Sequence, residues 1–376
     1  MASRAAMGPL ALACLSSCFS GCGGQPARGA QPAAERQATR APDVGVVFVG
    51  SLPWLEAPPE LGRPGEIHIA TDASWELYEE AGGQQQEGSV PHSVFSLTPD
   101  RASIAIEPSL AGSVAGFHRD PDGDRDAWHF AVRLFAAGPG EGGSSVPPGL
   151  SLVRVDRAGT VVARHPFGSA FVHEDLMPLA LGSEPMVVRR PLEYPGGGGG
   201  LLVQLGPSYP DDLVSVRWCE PDCHTPLALL TREEQLLVVL LLAGAPERPI
   251  QLGAVTREGV REARPVSADP SSQACENAVY THDGDTARAR VPTAVDQSVE
   301  FGIEGARWLP GPNTHPHELD VCVEDGALRV RLIEGAWISV ADGVDPEGVW
   351  VSCDGRRCVS VFARTDGIYQ LARFAM

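Results

Sequence analysis

Short apolar runs separated by turn residues recur along most of this chain, and they predict β-hairpins. Val94 to Leu97 and Ala102 to Ile106 flank Thr98-Pro99-Asp100, and Leu150 to Val155 and Thr160 to Ala163 flank Asp156 to Gly159. The same order returns at Ile250 to Val255 before Arg257-Glu258-Gly259, and at Leu319 to Val323, Glu324-Asp325-Gly326 and Leu328 to Leu332. Each is a pair of strand-length runs joined by residues that supply tight-turn geometry. Leu236 to Ala245 is the longest apolar run and ends at Pro246. It is too short for the roughly 20 residues of a membrane helix, and predicts a central strand buried on both faces. No amphipathic helical period accompanies these runs.

An all-β chain with 42 glycines and 33 prolines spread along it leaves two architectures. A single β-propeller-like domain is the expectation, and two tandem β-sandwiches are the alternative. Trp128, Trp218 and Trp308 are evenly spaced at twice a period of about 45 residues, the length of a propeller blade. The stretch from Cys358 to Tyr369 reads as a strand, an Asp366-Gly367 turn and a second strand opening on an aromatic. It resembles the blade ends of bacterial lectin-like propellers, and no binding residue is carried over from that resemblance.

The N-terminus departs from this grammar. Arg4 precedes an apolar run from Ala5 to Leu15, and small residues lead into Leu15-Ser16-Ser17-Cys18 and Phe19-Ser20-Gly21-Cys22. The run is too short to span a bilayer and reads as a secretory signal. Both tetrads resemble the lipobox of bacterial lipoproteins: an apolar residue, two small residues, then the cysteine that is lipidated and becomes residue one. The resemblance implies lipidation at Cys22, with Cys18 as the alternative. Leu15 is the better apolar residue, but cleavage before Cys22 discards Cys14 and Cys18 and leaves an even number of cysteines in the body. Gly23 to Pro42 lacks apolar periodicity and is rich in Ala, Gln, Gly, Pro and Arg, a composition that predicts a disordered tether. The expected organisation is a signal peptide over 1–21, the lipidated cysteine and tether over 22–42, and an all-β body over 43–376. The address implied is the cell envelope, with acyl chains in a lipid bilayer. Neither cysteine is followed by Asp, which by resemblance to the enterobacterial sorting rule favours the outer membrane.

Residues 1–42 are net basic, with Arg4, Arg28, Arg36 and Arg40 against Glu35, so the body is more acidic than the chain's net charge of −19. Nucleic acid is therefore not an expected partner, because its phosphates are held by basic patches. The chain contains no lysine. That excludes a P-loop NTPase, a protein kinase, a Schiff-base or pyridoxal enzyme and a Ser-Lys hydrolase, all of which use a lysine amine.

Cys219 with Cys223 and Cys353 with Cys358 each bracket a short turn, entered from the strand-like runs Leu213 to Trp218 and Val349 to Ser352. Facing residues at a hairpin neck lie within disulfide range, and an exported protein meets an oxidising compartment. Cys275 and Cys322 then pair by elimination. Cys219 to His224 is one residue longer than a haem-attachment motif, and a zinc site from Cys219, Cys223 and His224 lacks a fourth ligand. No cofactor is expected, with calcium the one candidate. Asp120, Asp122, Asp124 and Asp126 set carboxylates on alternate residues, the all-oxygen donor set that calcium takes. Gly123 and Ala131 depart from the EF-hand pattern, and the competing reading is a solvated acidic turn before Trp128. His282-Asp283-Gly284-Asp285 is a shorter acidic stretch. His315-Pro316-His317-Glu318, with Asp320 beyond, offers His-x-His, but Pro316 and the preceding Pro310 to Asn313 mark a loop instead of a strand that points both rings to one face. His173-Glu174-Asp175 reads as the polar start of a strand. Gly196 to Gly200 lacks the Lys-Ser/Thr ending and the helix of a phosphate cradle, and reads as a loop.

No Gly-x-Ser-x-Gly elbow occurs, and no spacing selects a Ser/His/Asp set or a carboxylate pair. The function expected is a surface-tethered binding or scaffold lipoprotein presenting loops to a protein or glycan partner. The alternative is an exported hydrolase or lyase acting on glycans or esters in a propeller's central pocket. Fold does not choose between them. Convergence of Asp122, Asp126, His173, His282 and His317 in one concave site would favour the enzyme.

Overall fold

The hairpins are taken up by seven small antiparallel sheets, not by two large ones. The structure, a computed structural model, describes residues 46–52, 55–71, 93–108, 110, 112–120, 127–134, 149–168, 174–181, 184–191, 201–207, 211–216, 218–219, 223–233, 235–242, 250–273, 275–294, 297–316, 318–333 and 335–376. After β1 (Val46–Ser51), blade 1 comprises β2 (Glu60–Leu61), β3 (Ile67–Thr71), β4 (Ser93–Leu97) and β5 (Ala102–Ile106). Blade 2 holds β6 (Ser113–Asp120), β7 (Ala127–Leu134), β8 (Gly149–Val155) and β9 (Val161–Pro166). Blade 3 holds β10 (Glu174–Leu181), β11 (Glu184–Pro191), β12 (Leu202–Gln204) and β13 (Leu213–Ser215). Blade 4 holds β14 (Trp218–Cys219), β15 (Cys223–Arg232), β16 (Gln235–Leu242), β17 (Ile250–Thr256) and β18 (Gly259–Pro265). Blade 5 holds β19 (Asp269–Pro270), β20 (Val279–Asp283), β21 (Thr286–Ala294) and β22 (Gln297–Glu304), and β23 (Arg307–Trp308) then pairs back onto β15. Blade 6 holds β24 (Leu319–Glu324), β25 (Ala327–Leu332) and β26 (Ile338–Asp342), and blade 7 holds β27 (Val344–Asp354), β28 (Arg357–Arg364) and β29 (Tyr369–Ala375). β1 adds to the edge of β29, so the first strand closes the ring against the last blade. The chain is a seven-bladed β-propeller.

Strand alternation explains the sequence pattern. In β16, Leu236, Val238 and Leu240 pack with blade 3 while Leu237 and Val239 pack with blade 5, so both faces are dry and the run is apolar throughout. Apolar clusters fill six of the seven seams between neighbouring blades. Trp128, for instance, is buried between blades 1 and 2 beside Phe117 and Phe130. Each such fully buried aliphatic or aromatic side chain contributes about 1.5–3 kcal/mol.

The seam between blades 5 and 6 differs. On β24, Leu319, Val321 and Val323 point to blade 7, which leaves the alternate positions Asp320 and Cys322 for blade 5. On β21, Ala287, Ala289 and Val291 point to blade 4, which leaves Arg288 and Arg290 for blade 6. The seam is accordingly polar, with a disulfide between Cys275 and Cys322. Arg290 donates to Asp320 Oδ1 at 2.8 Å and to the Val321 carbonyl at 3.1 Å, and Arg331 donates to Asp320 Oδ2 at 2.7 Å.

Two features close the hub. Blades 2 and 3 meet backbone to backbone at Gly116, where a Cβ would stand 1.5 Å from the Leu176 carbonyl oxygen, so only glycine fits. The connection after β22 runs along one strand from each of three blades, β15, β20 and β27. Leu309 N donates to Leu229 O at 3.0 Å, Tyr280 N to Asn313 O at 2.8 Å and Asn313 N to Val349 O at 2.7 Å. The evenly spaced tryptophans do not occupy equivalent blade positions, so their spacing is not a structural repeat. Trp128 lies within the second strand of a blade, whereas Trp218 and Trp308 sit in two-residue strands on the edge of β15.

Candidate functional site

A group of ionisable side chains lies between blades 1 and 2. Antiparallel register puts Glu60 opposite His68 and His68 opposite Ser96, so three polar residues form one row on a single face of blade 1. That face meets β6, which brings His118 and Arg119. His118 Nδ1 donates to Glu60 Oε1, and the Arg119 backbone N donates to Glu60 Oε2 at 3.1 Å. Glu66, in the β2–β3 turn, accepts from Ser96 Oγ at 2.6 Å and from Arg63 N at 3.2 Å. Its Oε2 also lies 3.6 Å from His68 Nε2 and 3.7 Å from the Arg119 guanidinium. The turn is held to blade 7 by Ser352 Oγ, which accepts from Gly65 N at 2.9 Å and Glu66 N at 3.1 Å. Arg119 lies over the Trp128 ring at 5.5 Å, and the His68 ring meets Trp128 edge-on at 4.9 Å.

The electrostatics follow from these contacts. The His68 imidazole first, then the Ser96 hydroxyl and the Arg63 amide, hold the Glu66 carboxyl down to about 2 against a burial that alone would raise it. Glu66 is thus an anion across the ordinary pH range. His68 and Glu60 are buried, whereas the His118 and Arg119 side chains keep 17% of their surface and Glu66 keeps 23%. The Glu60 bond fixes the His118 ring, as a carboxylate behind an imidazole does in an oriented base.

The residues singled out in the sequence fall elsewhere or outside the described residues. Asp120 ends β6, and Asp122, Asp124 and Asp126 belong to the β6–β7 connection, which lies outside the described residues, as do His173 and His317. His282 is described, half-buried near the end of β20. Burial, and secondarily the Arg307 charge, lowers its pKa. Asp283 in the same stretch is 2.9 Å from Arg288. His315 is sealed in the hub at 2% exposure, and among the described residues neither ring nitrogen has a well-formed hydrogen bond. Burial pushes its pKa down to about 3, with the Val351 backbone acting in the opposite sense. Among the described residues, no group of three or more His, Cys, Asp or Glu can hold a metal ion. Cys219 stands opposite Cys223 in backbone register. Cys353 and Cys358 form a disulfide across the β27–β28 neck. Lipidation at Cys22 or Cys18 falls on residues outside the described ones.

Glu60, His68, His118 and Arg119 were missed in the sequence. Their partners lie in different blades, and only the alternation of β3 and β4 carried a local signal.

No protein-family model matches this chain, and no curated protein does. Among solved structures it is similar to the polysaccharide lyase Uly1, at 7% identity and a TM-score of 0.37 over 87% of this chain and 90% of that one. It is similar to hydrazine synthase of Kuenenia stuttgartiensis at 13% identity and a TM-score of 0.37, covering 83% and 97%. It is similar to virginiamycin B lyase from Staphylococcus aureus at 8% identity and a TM-score of 0.34, covering 88% and 98%.

Proposed function

We propose that this chain is a lipid-tethered binding or scaffold protein of the cell envelope, held on acyl chains at Cys22, or alternatively Cys18, through the tether 22–42, and that its body 43–376 performs no chemistry of its own. The observation that carries this reading is the state of two perturbed ionisable groups, Glu66 and His315. The Glu66 carboxyl is taken up by donors from its own fold and titrates near 2, and His315 is sealed away from solvent. A general acid or base needs a pKa near working pH and reach to a substrate, and neither group has both. The crossover 307–316 supports the same reading, since it occupies hub-side edges that a central pocket would use. The disulfides suit an oxidising compartment, and the outer membrane is the address proposed. Calcium at the Asp120 to Asp126 turn belongs to the same proposal, tested by a calcium-dependent rise in Tm that a chelator reverses.

A second reading, an exported hydrolase or lyase on glycans or esters, draws on one observation: the Glu60-oriented His118 imidazole between the first strands of two blades. One experiment separates the two. The full chain is expressed with its own signal, labelled with radioactive palmitate, purified in detergent and incubated with envelope glycans and model esters. The binding reading expects label lost on Cys22→Ser, and retention of glycan or protein without turnover. Turnover that falls on His118→Ala or Glu60→Gln would overturn it, and label lost only on Cys18→Ser would move the anchor.

A further inference from the structure

Blade 4 carries a groove of about 320 Å³ across the face it turns to blade 5, at the small end of the range for ligand sites. Its floor is aliphatic, from Leu237, Leu252 and Ala254. Its two ends are alike in chemistry. Arg232 and Glu233 stand at the β15–β16 turn, and Glu262 and Arg264 stand on β18. None of these four side chains makes an ion pair or a side-chain hydrogen bond, although the lining carries two charges of each sign.

The backbone adds a second, independent observation. Among the described residues, four other than glycine have left-handed φ: Glu233 (47°), Glu262 (53°), Asn313 (62°) and Asp325 (51°). Asn and Asp tolerate that region, and Asp325 sits in an Asp-Gly turn. Glu233 takes it in the two-residue turn that joins β15 to β16, which calls for that backbone; Glu262 has no such turn, and both line this groove. Glu262 occupies a bulge, where β18 sets Glu262 and Ala263 against Gly253 alone and the register shifts between Leu252 and Ala254. A bulge re-aims a side chain, and strain at a non-glycine residue gathers where function holds it.

We propose that this groove binds a neutral, polyhydroxylated ligand of about disaccharide size. Each end pairs one guanidinium donor with one carboxylate acceptor, and a vicinal diol satisfies both at once, because every hydroxyl donates and accepts. A zwitterion fits worse, since each of its charged termini would meet one like charge at either end. The aliphatic floor receives the C–H face of a ring. This deepens the binding reading above and names its ligand class, but it does not depend on the tether.

The test uses the purified full chain in detergent, titrated calorimetrically with maltose, cellobiose and N,N′-diacetylchitobiose, with the dipeptide glycyl-leucine as the zwitterionic control and product formation followed in the same samples. At least one disaccharide is expected to bind saturably. Glu262→Gly is expected to weaken it at least about tenfold while raising Tm, because glycine accepts the left-handed backbone. Arg264→Ala is expected to weaken binding without raising Tm. Absence of saturable disaccharide binding, preference for the dipeptide, or unchanged affinity in both variants would overturn the groove while leaving the scaffold reading intact. Turnover of a disaccharide would overturn the scaffold reading, and leave the groove standing if binding still depends on Glu262.

Discussion

Removing the Cys275–Cys322 disulfide tests what holds the one seam that lacks an apolar cluster among the described residues. Both sulfurs are buried, so the double replacement by alanine is preferable to serine, whose hydroxyls would need partners. The bond closes a loop with a sequence separation of 47, against 5 for Cys353–Cys358. Loop-closure entropy places the longer loop at about 4 kcal/mol and the shorter at about 2 kcal/mol. Blades 6 and 7, joined through Val321, Val330, Val351 and Phe362, keep their apolar contacts in either variant, whereas blades 5 and 6 fall back on polar contacts: the set around Asp320 and the hydrogen bonds of Glu276 and Asn277 to Val323 and Asp325. The double alanine variant at 275 and 322 should therefore lose about 2 kcal/mol more than the one at 353 and 358, measured by guanidinium unfolding of the full chain. Hydrogen exchange should accelerate first in β20, β21 and β24. An equal or smaller loss at 275 and 322, or acceleration spread evenly over all blades, would refute the argument that this seam depends on its covalent link.

Further outcomes follow from the same structure. Asp320→Asn removes the carboxylate shared by Arg290 and Arg331 and should cost about 2–4 kcal/mol by denaturant titration, since two guanidiniums then face each other in a largely buried site. Glu66 has a depressed folded-state pKa, so its contribution is present above about 4.5 and lost as pH falls toward about 2; Glu66→Gln should flatten the stability profile in that window. His315 is also depressed, but as a base: below about 6.5 the unfolded chain takes up a proton that the buried ring refuses, so stability falls as pH drops from about 6.5 toward about 3. His315→Phe should remove that slope and leave stability at neutral pH unchanged or higher, because two buried nitrogens without a well-formed hydrogen bond among the described residues go with the ring. Gly116→Ala drives a methyl into the Leu176 carbonyl and should cost at least about 4 kcal/mol or prevent folding, read by Tm and soluble yield.

Much of the fold was local enough to be read in advance. The β4–β5, β8–β9, β17–β18, β24–β25 and β28–β29 hairpins each join two apolar runs across a few turn residues, so their pairing needs no distant information. The Leu236 to Ala245 run announced a strand dry on both faces, and β16 is that strand. The disulfide of Cys353 with Cys358 followed from a hairpin neck, and that of Cys275 with Cys322 from the remaining count. The tryptophan spacing misled as a repeat, because the crossover that carries Trp308 leaves its own blade to pair with β15.

Sequence alone determined that the chain is all-β, that lysine chemistry is excluded, and that β16 is apolar on both faces, because alternation and turn chemistry act over a few residues. Only the tertiary structure decided that the hairpins close as seven blades, that Glu60 meets His118, and that Arg290 meets Asp320. It also decided that His315, a candidate ligand in the sequence, is sealed in the hub, and that four uncommitted charges gather on blade 4. These depend on contacts between residues far apart in the chain, and a pattern with a period of two says which face a side chain takes without saying what stands opposite it.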